Sequence, residues 1–127
     1  MDVISVDRDE FKDLAIEILQ DGNILRFQAM GDSMRPFIRH GDLLEVEPLG
    51  EGVIKPGDVV LCNLGNGLLV AHRIIKIRKH TGQESLMLQG DGRLKPDGWV
   101  PKKNALGRVV ALERKGRRYQ ATIVFDV

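Results

Sequence analysis

Ser33 lies in a run punctuated by glycine and proline, Gly31-Asp32-Ser33-Met34-Arg35-Pro36, which predicts a tight turn. A serine in such a turn can point its hydroxyl into a cleft while nearby backbone N–H groups stay free to bind an oxyanion. Ser33 is therefore a candidate nucleophile, and Gly31, Asp32 and Met34 are candidates to line the substrate and oxyanion site. Because a lone serine more often caps its own turn, the assignment depends on finding a base elsewhere.

His72 is the candidate base. It interrupts an apolar segment, residues 68–75, that predicts a strand, and alternation places it on one face with Val70 and Ile74. An imidazole among apolar side chains is unfavourable unless it is hydrogen-bonded. Two interpretations follow: a structural histidine bonded to a backbone carbonyl, or a general base within reach of Ser33.

Two carboxylates, Asp91 and Asp97, lie in the polar segment 89–97. Either could orient the ring of His72 and stabilise its protonated form while the ring takes the proton of Ser33. Asp91 lies between two glycines, whereas Asp97 is in a Pro-Asp-Gly turn, where its side chain could simply cap the backbone. The residues alone leave this choice open.

Together these blocks resemble the signal peptidase I superfamily, the S24 and S26 serine peptidases. The resemblance covers residues 31–97 and rests on the order and spacing of four blocks: 31–36, the pair 41–42 with 56–60, 72–73, and 90–91 with Asp97. It implies Ser33 as nucleophile, His72 as general base, and Asp91 or Asp97 as the supporting acid. Histidine as the base is similar to the archaeal and endoplasmic-reticulum type.

Two features depart from that type. Signal peptidases commonly carry a hydroxyl residue two positions before the nucleophile, where this chain has Gly31. The Gly-Asp-Ser-Met sequence is closer to the S24 branch of self-cleaving repressors, in which the base is a lysine. Strict alternation would put Lys76 on the same strand face as His72, so a Ser/Lys pair is the alternative.

The chain has 127 residues, 43% hydrophobic and 29% charged, with a formal net charge of +1. These values are typical of a globular chain, and we predict one domain over residues 1–127. Near neutrality argues against nucleic acid or an anionic membrane as an obligate partner. No stretch approaches the ~18 apolar residues of a membrane span, and the acidic start is unlike a signal peptide. We expect a soluble, cytoplasmic protein.

Cofactor chemistry has little support in the sequence. The single Cys62 excludes an intramolecular disulfide and is expected to pack as a small apolar side chain. We expect His40 and His80 at the surface. No histidine or cysteine pair has the spacing of a metal site, and no glycine-rich phosphate loop precedes a helix, so we predict neither metal nor nucleotide.

The predicted fold is mainly β, a coiled antiparallel sheet or partly open barrel with one N-terminal amphipathic helix. The helix, within residues 1–22, has Asp7 as its N-cap and an apolar stripe of Phe11, Leu14, Ala15, Ile18 and Leu19. Strands are predicted in residues 23–127 at 24–30, 42–47, 58–63, 68–79, 84–89, 106–114 and 117–126, with hairpin turns at 65–67 and 115–116.

Three functions fit these observations. The first is a serine endopeptidase that binds an extended peptide beside the nucleophile turn and cleaves it, with small residues before the scissile bond as the resemblance implies. The second is a self-cleaving regulator, and the third is a peptide-binding module without turnover. A protein partner could bind the N-terminal helix or the basic C-terminal stretch 108–118, although such a stretch is more often a solvated hairpin.

Overall fold

A computed structural model describes residues 8–50, 52–65 and 67–120 of the chain. It contains one α-helix, one short 3-10 turn and eight strands. Their bounds are α1 Arg8–Gln20, β1 Leu25–Gln28, β2 Leu43–Pro48, β3 Val59–Asn63, β4 Leu69–His80, β5 Gln83–Gln89, β6 Gly98–Pro101, the 3-10 turn Lys102–Asn104, β7 Ala105–Arg114 and β8 Arg117–Gln120.

The strands form one antiparallel sheet in the order β1-β2-β7-β3-β4-β5-β6, with β8 paired to β7. This confirms the predicted mainly β fold. The β3–β4 and β4–β5 connections are hairpins, and Lys115 and Gly116, both with positive φ, form the β7–β8 turn. Asn66, in the predicted 65–67 turn, lies outside the described residues, as do Asp7 and residues 121–126 of the last predicted strand.

The core consists of two hydrophobic clusters, one on each side of β3. Val59 and Leu61 point into a cluster shared with α1, β1, β2 and β7, while Val60 and Cys62 point into a second cluster shared with β4, β5 and β6. This explains why β3 is a continuous apolar run rather than an alternating one, since both of its faces are buried.

Helix α1 packs its apolar stripe on the first cluster. Ala15 and Leu19 are buried, and the ring of Phe11 lies 5.1 Å from that of Phe27 on β1. Leu14 departs from this packing because its side chain is 46% exposed, at the margin of the buried face.

Strand β6 was not predicted from the sequence. Its four residues lie between the 90–97 loop and the 3-10 turn, and only Trp99 and Val100 have strong strand preferences. Pairing with β5 compensates for this weak local strand propensity, because Leu86 pairs with Val100 and Met87 pairs with Trp99 in the ladder. A segment this short becomes a strand through its neighbour rather than through its own propensity.

Candidate active site

Ser33, His72 and Asp97 form a continuous hydrogen-bonded chain. The Oγ of Ser33 lies 3.0 Å from Nε2 of His72, and Nδ1 of His72 lies 2.6 Å from Oδ2 of Asp97. An ionised carboxylate only accepts hydrogen bonds, so Nδ1 carries the ring proton and donates it to Asp97. That tautomer leaves the lone pair of Nε2 free to accept the hydroxyl hydrogen of Ser33.

His72, the candidate base, is held by the inner strands of the sheet. His72 is buried, and its strand β4 is paired on both sides, with Val60 of β3 as its partner in the ladder. Asp97 is placed one residue before β6, and its N–H donates to the carbonyl of Leu88 on β5 at 2.7 Å. His72 and Asp97 are therefore both positioned by the three-stranded ladder β4-β5-β6, which fixes their separation.

Ser33, the candidate nucleophile, lies on the turn that follows β1. The N–H of Arg35 donates to the carbonyl of Asp32 at 3.1 Å, and the N–H of Ile38 donates to the carbonyl of Met34 at 2.9 Å. Met34 is buried and anchors the turn in the first cluster, while Ser33 itself is only half-buried. No described residue accepts a hydrogen bond from the Ser33 N–H, so this donor remains free for an oxyanion.

The other residues of the predicted substrate site lie around this turn. Gly31 has φ +86°, in the left-handed region that favours glycine, and its N–H donates to Nδ1 of His40 at 3.0 Å. His40 is exposed, as expected, but it supports the turn through this bond. Asp32 is largely exposed, and its carboxylate forms an ion pair with Arg93 at 3.3 Å.

Asp91 has a different partner from the one considered for it. Its two carboxylate oxygens accept hydrogen bonds from Nε and Nη2 of Arg73 at 2.8 and 2.7 Å, and it makes no contact with His72. Arg73 also donates to the carbonyl of Gly57 at 2.7 Å and lies 5.0 Å from the ring of Phe37. Of the two aspartates, the structure therefore brings Asp97 to the base and Asp91 to an arginine beside it.

Two glycines that flank Asp91, to which the sequence analysis gave no separate role, bring the 90–97 loop (the acid loop) against the turn that carries Ser33 (the nucleophile turn). The N–H of Gly92 donates to the carbonyl of Ser33 at 2.8 Å. A Cβ at Gly90 would overlap that same carbonyl oxygen and lie 3.1 Å from Nε2 of His72. Only a residue without a side chain allows this approach. The two glycines in Gly90-Asp91-Gly92 indicate a close backbone contact, but the sequence does not show which other segment of the chain makes it.

Lys76 does not share the face of His72, contrary to the alternation argument. The ladder between β4 and β5 shifts between Ile74 and Lys76, so Ile75 is an extra residue in a β-bulge. After the bulge Ile77, and not Lys76, packs against the second cluster, and Lys76 is exposed. The predicted Ser/Lys alternative therefore fails on geometry.

The two Gly-Asp pairs that precede β2 and β3 have a structural role that the resemblance did not explain. Asp42 accepts the N–H of Arg39 at 2.8 Å, and Asp58 accepts the N–H of Lys55 at 3.0 Å, so each aspartate closes the turn before its strand. Asp42 is buried and bonded twice to Arg114 of β7, at 2.8 and 2.6 Å. This pair connects the end of the nucleophile segment to the sheet.

Ion pairs with arginines affect the pKa of Asp42 and the free charge of the basic stretch 108–118. Burial opposes ionisation of Asp42, but hydrogen bonds from Arg114 and from the Arg39 N–H outweigh it and lower the pKa of the carboxyl. In the basic stretch 108–118, Arg108 pairs with Glu47 and Arg118 with Glu45, which leaves less unpaired positive charge than the sequence suggests.

Burial raises the pKa of the Cys62 thiol to about 12, consistent with the apolar packing expected for it.

A serine, a histidine and an aspartate hydrogen-bonded in this order form the arrangement of serine hydrolases. The class that this fold and site define is thus a β-rich protein with a serine-hydrolase constellation.

Comparison with known families is consistent with that class. The model of a family described as Peptidase S24-like matches residues 3–88, more than half of the chain. The chain therefore belongs to the S24-like peptidase family. The matched segment includes Ser33 and His72, whereas Asp97 lies beyond it. The match supports the S24/S26 superfamily predicted from the sequence, and the signal peptidase subtype stays a prediction. No curated protein matches the chain.

Across residues 8–50, 52–65 and 67–120, no helix has the length and apolarity needed to cross a bilayer. Over the same ranges, no three His, Cys, Asp or Glu side chains are grouped so that they could hold a metal ion.

Proposed function

We propose that this protein is a serine endopeptidase in which Ser33 is the nucleophile, His72 the general base and Asp97 the residue that orients and stabilises the base. The observation that carries the proposal is the pair of hydrogen bonds on opposite nitrogens of one buried imidazole, 3.0 Å to Ser33 and 2.6 Å to Asp97. Any buried imidazole needs a partner on each nitrogen, and here the partners are those that general-base catalysis requires, a half-buried serine hydroxyl on Nε2 and a carboxylate on Nδ1.

In the proposed mechanism, Nε2 of His72 takes the hydroxyl proton as Oγ of Ser33 attacks the scissile carbonyl. The negative charge that develops on the carbonyl oxygen is stabilised by the free N–H of Ser33. The imidazolium, stabilised by Asp97, then returns the proton to the leaving amine, and the acyl-enzyme forms. Water attacks the ester with His72 again as base, which releases the second product and regenerates the hydroxyl.

The sheet offers an edge for an extended substrate. Among the described strands β1 pairs only with β2, so its other edge is open, and β1 leads through Ala29 and Met30 into the nucleophile turn. A peptide added to this edge as a further strand would reach Ser33 in an extended conformation. Small residues before the scissile bond are what the resemblance to signal peptidases implies.

The test is turnover of a peptide library by the wild-type chain and by Ser33→Ala, with products identified by mass spectrometry. We expect cleavage at defined bonds in the wild type and none above background in Ser33→Ala. Ser33→Ala should keep the circular dichroism spectrum and the melting temperature of the wild type. Labelling of Ser33 by a fluorophosphonate in the wild type would identify the nucleophile independently of any substrate.

Two outcomes would overturn the proposal. Cleavage that persists in Ser33→Ala would place the nucleophile elsewhere or reveal a contaminant. Peptide binding that is equal in both proteins, with neither turnover nor fluorophosphonate labelling, would make the chain a peptide-binding module. Incubation of the chain alone, followed by intact-mass measurement, distinguishes a third case, since loss of a fragment only from the wild type would indicate a self-cleaving regulator.

A further inference from the structure

A second surface, distant from Ser33, is formed by one side of the β4-β5-β6 ladder. In the ladder Lys76 faces Met87, which faces Trp99, and Arg78 faces Ser85. Paired residues lie on the same side of a sheet. We call the part of this side between the bulge at Ile75 and the β4–β5 turn the basic sheet face, and its members are Lys76, Arg78, His80, Gln83, Ser85, Met87, Trp99 and Pro101.

The basic sheet face points away from the core. On the other side of the same three strands, Leu86 and Val100 are buried in the second cluster and Ile77 packs against it. On the basic sheet face Lys76, Arg78 and His80 are exposed, and Ser85, Met87 and Trp99 are half-buried. No described element covers it.

The charge on this face is unbalanced. Its members include two full cations and an imidazole but no carboxylate, and within the described ranges neither Lys76 nor Arg78 takes part in an ion pair. The nearest acid along the ladder is Glu84, which faces Lys79 on the opposite side of the hairpin. Elsewhere, by contrast, arginines such as Arg114 are neutralised by carboxylates. A net charge of +1 therefore conceals a local excess of positive charge.

The spacing of the cations favours a polypeptide as the ligand. Alternate residues of a strand are about 6.6–6.8 Å apart, so Lys76, Arg78 and His80 repeat at that interval. An extended peptide presents every second side chain to one side at the same interval. Acidic residues at alternate positions would therefore meet the cations one by one.

One further feature separates this ligand from a single-stranded nucleic acid. The guanidinium of Arg78 lies 4.1 Å from the ring centre of Trp99, so that face of the indole is already occupied and is closed to a stacking base. We propose that the basic sheet face binds an extended acidic segment of a partner protein, with Asp or Glu at alternate positions. This interaction does not require the chemistry proposed for Ser33.

The experiment measures fluorescence anisotropy of a labelled peptide in which Glu and Thr alternate, with the Ser33→Ala protein so that the probe stays intact. We expect saturable binding at low ionic strength. The double variant K76E/R78E should weaken it by roughly tenfold, since each lost ion pair is worth a few fold. The matched control K115E/R117E, which makes the same charge change on the exposed β7–β8 hairpin, should change it less than about twofold.

Two further measurements separate a loss of binding from a loss of folding, and alternating charge from total charge. The neutral variant K76Q/R78Q should weaken binding with the melting temperature preserved, in case charge reversal or loss of the Trp99 contact perturbs the fold. A peptide of the same composition with its Glu residues in one block should bind several-fold more weakly than the alternating one. The proposal is overturned if both double reversals weaken binding equally, if an oligothymidylate of equal charge binds more tightly, or if no binding occurs at low ionic strength.

Discussion

Asp91 and Asp97 are chemically identical side chains in one loop, and their neighbours give them different tasks. Asp97 receives the ring N–H of His72 at 2.6 Å, while Asp91 receives two hydrogen bonds from Arg73. Under the proposed mechanism only Asp97 stabilises charge that appears during the reaction. Asp91 neutralises a charge that is always present.

Replacing Asp97 by Asn should lower kcat by on the order of 10⁴-fold with little change in KM, because an amide in that position favours the wrong tautomer of His72. The measurement is the kinetics of whichever peptide the wild type cleaves. Asp91→Asn is the matched control and should lose far less activity. Equal losses in the two variants would contradict the assignment of Asp97 as the supporting acid.

Gly90 lies where a side chain would disturb the site most, because a Cβ there would overlap the backbone of Ser33. Gly90→Ala places a methyl group against the carbonyl oxygen of Ser33 and beside Nε2 of His72, so the acid loop and the nucleophile turn must separate. We expect a loss of about 1–3 kcal/mol in the free energy of unfolding and near-complete loss of cleavage, measured by urea denaturation and peptide kinetics.

The control for Gly90→Ala is Gly22→Ala, at the end of α1, where a Cβ meets no atom but φ is +83°. It should cost stability by roughly 1 kcal/mol through backbone strain alone and leave kcat unchanged. If Gly90→Ala retains normal kcat, the close approach of the two segments is not needed for the chemistry.

At the scale of elements, the site depends on how the 90–97 loop and the turn that carries Ser33 meet the first half of β4, where His72 and Arg73 lie. Arg73 follows the base in sequence and holds the acid loop through Asp91, the turn before β3 through Gly57, and the nucleophile segment through the ring of Phe37. The N–H of Asp91 points to the sulfur of Met34 at 3.3 Å, which links the loop to the nucleophile turn again.

Removing the Arg73–Asp91 ion pair should weaken the packing of the acid loop on the site and leave Ser33, His72 and Asp97 in place. For Asp91→Asn we expect a loss of ~1.5–3 kcal/mol in unfolding free energy, since the partly buried guanidinium of Arg73 loses its charged partner. The fall in kcat should be modest. A double-mutant cycle with Arg73→Gln, followed by urea denaturation, measures the coupling, and additive effects would show that the pair does not act as a unit.

At the scale of the whole molecule, a buried ion pair joins two strands, β2 and β7, that are adjacent in the sheet but distant in the sequence. Asp42 precedes β2 and Arg114 ends β7, and the arginine also donates to the carbonyl of Phe37 in the nucleophile segment at 3.1 Å. Since the pKa of Asp42 is lower in the folded state than its ordinary value of 3.8, ionised Asp42 stabilises the fold above that value.

Stability from Asp42 should therefore be lost as the pH falls below 3.8 and through the lowered pKa of the folded state. Asp42→Asn should cost about 3–5 kcal/mol near neutral pH, because Arg114 keeps a partly buried charge without its partner. It should also flatten the acid side of the stability profile, measured as urea midpoints from pH 3 to 7. If Asp42→Asn loses as much stability at acidic pH as the wild type does, the pH dependence must come from other carboxylates, such as Glu45.

Much of the fold could be predicted because local patterns agree with it. The predicted strands with apolar runs and glycine turns are present, and α1 ends within two residues of its predicted stop. β6 could not be predicted, because its four residues become a strand only through pairing with β5. Lys76 was misplaced because a β-bulge changes the alternation, and a bulge depends on the partner strand.

The sequence by itself determined which residues could take part in chemistry. A serine in a glycine-proline turn, a histidine in an apolar strand and two aspartates in a polar loop were sufficient to name Ser33, His72, Asp91 and Asp97. Only the tertiary structure decided between the aspartates. The choice depends on where the end of β5 and the start of β6 place the loop relative to β4, on Gly90 and Gly92 allowing close backbone approach, and on Arg73 pairing with Asp91. Each of these is a contact between segments distant in sequence, and residue type and spacing do not determine such contacts.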